Sequence, residues 1–231
     1  MALQSSRSLA FLVGALGTLG VAQGCVDDGV SMHVICSIQP EVDENGCVWS
    51  PDGELCVAVG TLNVRTAVSY TMSLRVESGL KPRARDVPPA GEPNGVQLIS
   101  ARVELRTTGG VRLGGFSAVV QGTVVALPNP YDAVASGYLP PNGVNATTIV
   151  VIPGEYIPTL AASGLSQIVA SIKLKGETNG TLDVESSEYL WPIRLVATSP
   201  VMSEGECTSP ADTDVCSGLI GQDTFAYICT Q

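Results

Sequence analysis

Residues 62–76 read LNVRTAVSYTMSLRV, and the even positions are Leu62, Val64, Thr66, Val68, Tyr70, Met72, Leu74 and Val76. The odd positions are Asn63, Arg65, Ala67, Ser69, Thr71, Ser73 and Arg75. A period of two places one face in a core and the other in water, which is the signature of a half-buried strand. A helix would need apolar residues three and four apart, and that spacing is absent. The pattern predicts one long strand across the whole stretch.

The same period returns further along the chain. In 97–105, Ile99, Ala101, Val103 and Leu105 alternate with Ser100, Arg102 and Glu104, and Ile168, Ala170, Ile172 and Leu174 repeat it. Residues 111–127 are β-rich but broken by Gly114, Gly115 and Gly122, which predicts two short strands or a bulged one. The β-branched run 147–152 suggests a strand buried on both sides. Pro192 pushes the strand over 188–197 toward an edge or a bulge. One short helix is expected at 155–162. Pro, Gly and Asn cluster at 81–95, 127–132 and 139–143 as turns and loops. The expectation is an all-β protein, an antiparallel β-sandwich of the immunoglobulin or fibronectin kind with about eight strands.

The chain has 231 residues, 15% of them charged, with a net charge of -10. An acidic chain argues against nucleic acid, whose phosphates need a basic face. A single histidine, His33, removes most metal and acid–base chemistry.

The N-terminus carries an address. MALQSSR has a basic residue and no acid, and an apolar run over 8–21 is short for a membrane span, which needs ~20 apolar residues. The small residues Ala22 and Gly24 then close a secretory signal over 1–24, just before Cys25. VAQGC resembles the lipobox of bacterial lipoproteins. In that family the Cys is acylated and becomes the first mature residue, which makes Cys25 the expected lipid anchor and the membrane the expected partner. Val26 follows where Asp would favour inner-membrane retention, so the resemblance implies the outer membrane or cell surface. Ordinary cleavage after Gly24, releasing a soluble secreted protein, is the alternative.

Charge and cysteine divide the chain into zones. Residues 25–60 and 200–231 hold acids and no Lys or Arg, and all seven cysteines lie in them. The expected organisation is an acidic flank over 25–60, a sandwich body over 61–199 and a second acidic flank over 200–231, packed with the first. With Cys25 acylated, Cys36, Cys47, Cys56, Cys207, Cys216 and Cys229 remain as a disulfide framework. Three lie in each flank, so full pairing forces at least one bridge between flanks. Turn spacing suggests Cys47–Cys56 across SPDG and Cys207–Cys216 across SPADTD. Cys36–Cys229 is then the bridge, lashing the C-terminus beside the anchored N-terminus.

In the body, GTLNV, NGVQLISARVEL and ESSEYLWPIRLV resemble uncharacterised secreted lipoproteins of Gram-negative bacteria. That resemblance covers roughly residues 60–197. It implies a surface protein and brings no catalytic residue.

Tests for chemistry mostly fail. There is no G-x-S-x-G elbow, and GETNG at 176–180 reads as a turn with no P-loop Lys after it. The segment DENGCVWSPDGE (43–54) has EF-hand length, but Cys47 and Val48 occupy the fifth and sixth positions, where the sixth demands Gly. A looser calcium site would draw on Asp27, Asp28, Asp43, Asp212 or Asp214. Lys81, Arg83 and Arg85 suggest either a solvated loop or a grip on an anionic headgroup or sugar. Trp49, Trp191, Tyr131 and Tyr138 are too scattered for a sugar platform, and two of them are expected in the core. No cofactor and no catalytic residue is expected. The sequence thus favours a non-enzymatic structural, adhesive or assembly role with a protein or surface-polymer partner. The alternatives are a module binding calcium or a small apolar molecule and, third, a carboxylate-pair hydrolase.

Overall fold

A computed structural model of the chain describes residues 31–38, 41–43, 46–48, 50–52, 56–83, 92–197, 201–202, 222 and 228–229. Strand β1 (Met32–Ile38) precedes a small hairpin, β2 (Glu41–Asp43) and β3 (Gly46–Val48), and the short strands β4 (Cys56–Val57) and β5 (Gly60–Asn63). Next come β6 (Tyr70–Ser78), β7 (Val96–Thr107), a second hairpin of β8 (Ser117–Val120) and β9 (Thr123–Ala126), then β10 (Tyr131–Leu139) and β11 (Val144–Ile152). A 3-10 turn (Gly154–Tyr156) and helix α1 (Ile157–Ala162) lead into β12 (Gln167–Thr178), β13 (Asp183–Glu185) and β14 (Tyr189–Val196). The pair β15 (Val201–Met202) and β16 (Ile228–Cys229) follows.

Two sheets face each other. One has the order β11-β6-β1-β4, the other β10-β7-β12-β14-β5, with β13 on the flank of β12. Every pairing in them is antiparallel except β14 with β5. With β1, β6 and β11 taken as A, B and E and with β10, β7, β12 and β14 as C′, C, F and G, the order is that of an immunoglobulin-type sandwich. Apart from the very short β4 and β13, the two sheets hold the eight strands expected.

The core lies between the sheets. Met72, Leu74, Val76, Ile149 and Val151 on one inner face meet Val103, Leu105, Ile168, Ile172, Leu174, Trp191 and Ile193 on the other, all buried. Each such aliphatic side chain contributes roughly 1.5–3 kcal/mol relative to exposure.

Three local features depart from the period-two reading. The stretch 62–76 is two strands in different sheets, because the chain turns after Asn63. The Asn63 side chain accepts the Arg65 N–H at 3.0 Å and its carbonyl accepts the Ala67 N–H at 2.9 Å. Val68, expected inside, is 74% exposed. On β7, Ser100 pairs with Lys175 but Leu98 with Gly176, so Ile99 has no opposite residue on β12 and the inward phase flips. Ile99 is 54% exposed, whereas Val96 and Leu98 are buried. Gly176 permits this bulge: a Cβ there would stand 2.6 Å from the Gln97 carbonyl oxygen. Finally, β11 alternates in burial and is not covered on both sides, since Val150 faces out.

Other expectations hold. The interrupted 111–127 stretch is the β8–β9 hairpin, turned by Gln121 and Gly122 at φ 49° and 81°. Pro192 stands where β14 is still an edge, since β5 joins only from Ile193.

The ends of the sandwich differ in what the chain attaches to them. Met32 pairs with Ser78, so residue 31 enters at the pole bearing the 79–95 loop. The pole at the other end of β1 and β6 carries the β2–β3 pair, α1 and the β8–β9 hairpin. The C-terminal segment returns to that second pole: Gln222 bridges to Leu62 and holds the Thr71 backbone through its side-chain amide at 2.6 and 2.9 Å. Gln222 therefore touches the sandwich away from residue 31, not beside it. β1 also belongs to the sandwich, so the body begins well before residue 61.

Candidate functional site

The outer face of the larger sheet carries a lattice of charges. Arg102, Glu104 and Arg106 project from β7, and Ser171, Lys173 and Lys175 from the neighbouring β12. The ladder sets Ser171 opposite Glu104 and Lys173 opposite Arg102. Two cations directly opposite would repel, and flanking carboxylates offset this. Lys173 reaches Glu185 at 3.7 Å, and Arg102 and Lys175 both reach Asp132 on β10, at 3.9 and 3.5 Å.

At the centre, Glu104 is held by two guanidiniums. The Arg106 Nε lies 2.7 Å from Oε1 and the Arg112 Nη2 2.7 Å from Oε2. Arg106 also bonds Glu188 at 2.9 Å, and the Ser171 hydroxyl donates to the same carboxylate oxygen. Glu104, Arg106, Ser171 and Glu188, with Arg102, Lys173 and Glu185, line a concavity of about 210 Å³. The Arg106 hydrogen bond, reinforced by Arg112, holds the Glu104 carboxyl below its usual range against the opposing effect of burial. The Ser171 hydrogen bond and the Arg106 charge do the same for Glu188, and the Glu104 contact raises Arg106.

This pattern limits the chemistry. A general acid needs a carboxyl held protonated near neutrality, and both central carboxylates are shifted the other way. Ser171 beside Glu188 has the outline of a nucleophile and base, but a depressed carboxylate is a poor base for a hydroxyl. The face presents charges fixed in place by their mutual ion pairs. Because Glu104 has its folded pKa lowered, the stability it contributes is present above its ordinary range near ~4.5 and is lost as pH falls through the folded value. Glu104→Gln is therefore expected to unfold at lower denaturant than wild type at pH 7, with a smaller gap at pH 3. Urea titrations at both pH values check this, and a gap independent of pH would count against it.

A second polar and aromatic group lies at the far pole. Tyr156 packs against Phe116 and Tyr131, at ring separations of 4.8 and 5.0 Å. The Tyr131 hydroxyl donates to the Val151 carbonyl and that of Tyr156 to Pro128. Burial raises both phenols, so they stay protonated and structural.

Cys36 is bonded to Cys56, with Cα atoms 5.6 Å apart. This overturns both the Cys47–Cys56 and the Cys36–Cys229 pairings. The reason is register: Cys47 opposes Val42 in the β2–β3 hairpin, while β4 sets Cys56 opposite Ile38 beside β1. Cys25, Cys207 and Cys216 lie outside the described residues, as do Asp27, Asp28, Arg85, Asp212, Asp214 and Trp49. No group of three or more His, Cys, Asp or Glu among the described residues is arranged to hold a metal. His33 pairs with Glu77 at 3.1 Å on the outer face of the smaller sheet. Trp191 is in the core, and Tyr131 packs against it.

The charge lattice was missed in the sequence because its members come from five segments that share a face only after folding. Alternation alone marked Arg102 and Glu104 as outward. No family model matches the chain, and no curated protein matches it. Among solved structures, the X-ray structure of Northeast Structural Genomics Consortium target SoR45 is similar at 7% identity and a TM-score of 0.32, covering 78% of this chain and 96% of that one. A likeness at that score carries no argument.

Proposed function

We propose that this chain is a lipid-anchored protein of the cell envelope or surface, held through Cys25, whose sandwich serves a non-enzymatic structural, adhesive or assembly role. The observation that carries the reading is polarity of attachment. Ser31 lies six residues after Cys25 at one pole, while the chain leaves β1 after Ile38 at the other, where Gln222 is also held. An anchor at Cys25 would place the second pole and the charged sheet face away from the bilayer, where a protein or surface polymer meets them. The self-neutralised lattice supports contact over catalysis. Cys25→Ala is expected to move the protein from the membrane fraction to the soluble envelope fraction with its melting temperature unchanged. Unaltered fractionation would reject the anchor.

A second reading, a carboxylate-pair hydrolase, would use the concavity beside Glu104 and Glu188 and would need one carboxyl released from Arg106 to act as the acid. Turnover of a glycan panel that disappears in Glu188→Gln would put this reading first. A calcium-dependent rise in melting temperature would instead favour a calcium-binding module, because a ligand of the folded state stabilises it.

A further inference from the structure

We infer that the concavity on the outer face of the larger sheet binds an acidic sugar, with the ligand's carboxylate seated between Arg102 and Lys173. This rests on the adhesive reading and names the chemistry of the surface polymer it would meet. Which atoms of the cluster are already satisfied decides what it can take. Both oxygens of Glu104 are held by guanidinium groups at 2.7 Å. Glu188 receives Arg106 at 2.9 Å and the Ser171 hydroxyl, both on Oε1.

Arg102 and Lys173 differ. They face each other directly across β7 and β12, with side chains 47% and 43% exposed. Their carboxylate partners, Asp132 and Glu185, stand 3.9 and 3.7 Å away, and neither cation makes a hydrogen bond among the described residues. Asp132 is also shared with Lys175 at 3.5 Å. Like charges opposed across a ladder destabilise it, and an anionic group between the two would accept hydrogen bonds from both. Acceptors stand beside them. Oε2 of Glu188 is clear of the two bonds on Oε1, and Glu185 is too far from Lys173 to be hydrogen-bonded to it. Each of these carboxylates already has a cation near it, so a neutral hydroxyl donor suits it better than a further positive charge.

One carboxylate flanked by hydroxyls is the chemistry of a uronate. The volume of about 210 Å³ is the share of about seven waters, room for one sugar ring. Local charge favours an anion even though the whole chain carries -10. Arg102, Arg106, Arg112, Lys173 and Lys175 outnumber Glu104, Asp132, Glu185 and Glu188 in this cluster. Glu177 and its opposite residue Asp183 stand farther along β12 than Lys173. That separation is roughly 13 Å, past the ~8 Å Debye length of physiological salt.

The test uses the full chain carrying Cys25→Ala, which has no acyl chain, titrated with galacturonate, galactose or acetate and followed by amide NMR shifts. Galacturonate is expected to bind about tenfold or more tightly than galactose, which lacks the carboxylate, and than acetate, which lacks the hydroxyls. Arg102→Gln and Lys173→Gln should each weaken galacturonate about tenfold, the loss of one charge-assisted hydrogen bond. Both side chains are half exposed, so an unchanged melting curve is expected and shows that each variant is folded. No binding of galacturonate, equal affinity for galactose or acetate, or an affinity indifferent to both variants would overturn the inference. Failure of the anchored reading is seen separately, from fractionation of wild type against Cys25→Ala in cells. Either result can stand without the other.

Discussion

Trp191→Ala is expected to destabilise the fold by about 3–5 kcal/mol, the cost of removing a large aromatic side chain from a core that cannot collapse around the void. Trp191 is 1% exposed on β14 and stacks near Tyr189 at 6.2 Å. Its indole N–H donates to the Tyr70 hydroxyl at 2.9 Å, so one bond ties the two sheets together through the core. Tyr70→Phe keeps the ring but leaves that N–H without its acceptor, at a cost of about 1–3 kcal/mol. The ranking Trp191→Ala above Tyr70→Phe is the checkable result, from urea unfolding followed by far-UV circular dichroism. Gly60 completes the group: a Cβ there would stand 2.0 Å from the Tyr70 hydroxyl and 2.7 Å from the indole nitrogen. Gly60→Ala should therefore approach Trp191→Ala in effect, through overpacking in place of a cavity. A Gly60→Ala protein as stable as wild type would show that the two sheets are not fixed by this contact.

This cross-sheet group illustrates what the sequence could and could not disclose. Alternation found the sheets because a strand with one wet face must alternate, and β6, β12 and most of β7 obey. It failed at positions where the backbone changes phase. Asn63 ends a strand by hydrogen-bonding its own neighbours, and its short amide was the available signal for that turn. The Ile99 bulge depends on Gly176, roughly eighty residues away, and no local pattern announces it. Similarly, Leu105 finds part of its edge pairing in a side chain. Its N–H donates to the Asn129 amide oxygen at 2.9 Å, and the Asn129 nitrogen returns a bond to its carbonyl at 2.8 Å. The candidate site follows the same division. Which residues point outward was legible, but which carboxylate meets which guanidinium was not, because strand order sets those neighbours.

If the protein is exported and acylated at Cys25 as proposed, non-reducing peptide mapping is expected to join Cys36 to Cys56 and to join Cys47 to a peptide from 200–231. The argument is arithmetic applied to one observed bond. With Cys36 and Cys56 paired, and if Cys25 is acylated as proposed, Cys47, Cys207, Cys216 and Cys229 remain. Complete pairing leaves Cys47 no partner in its own flank, so it must reach the C-terminal one, and the fifteen connectivities of six cysteines fall to three. The topology permits this, since the β2–β3 hairpin leaves from the Ile38 end of β1 and Gln222 is held at the same pole. The two bridges differ in weight. Cys36–Cys56 closes a separation of 20 residues and restrains the unfolded chain by about 3 kcal/mol, whereas a Cys47 bridge closes at least 160 and restrains it by ~5 kcal/mol. Cys47→Ser should accordingly lower the melting temperature by about 10–20 °C, more than Cys36→Ser/Cys56→Ser does. A free Cys47 thiol in the oxidised protein, or a map with no link between 31–60 and 200–231, would remove the covalent closure of that pole. The C-terminal segment would then be held there by contacts such as the Gln222 amide on Thr71.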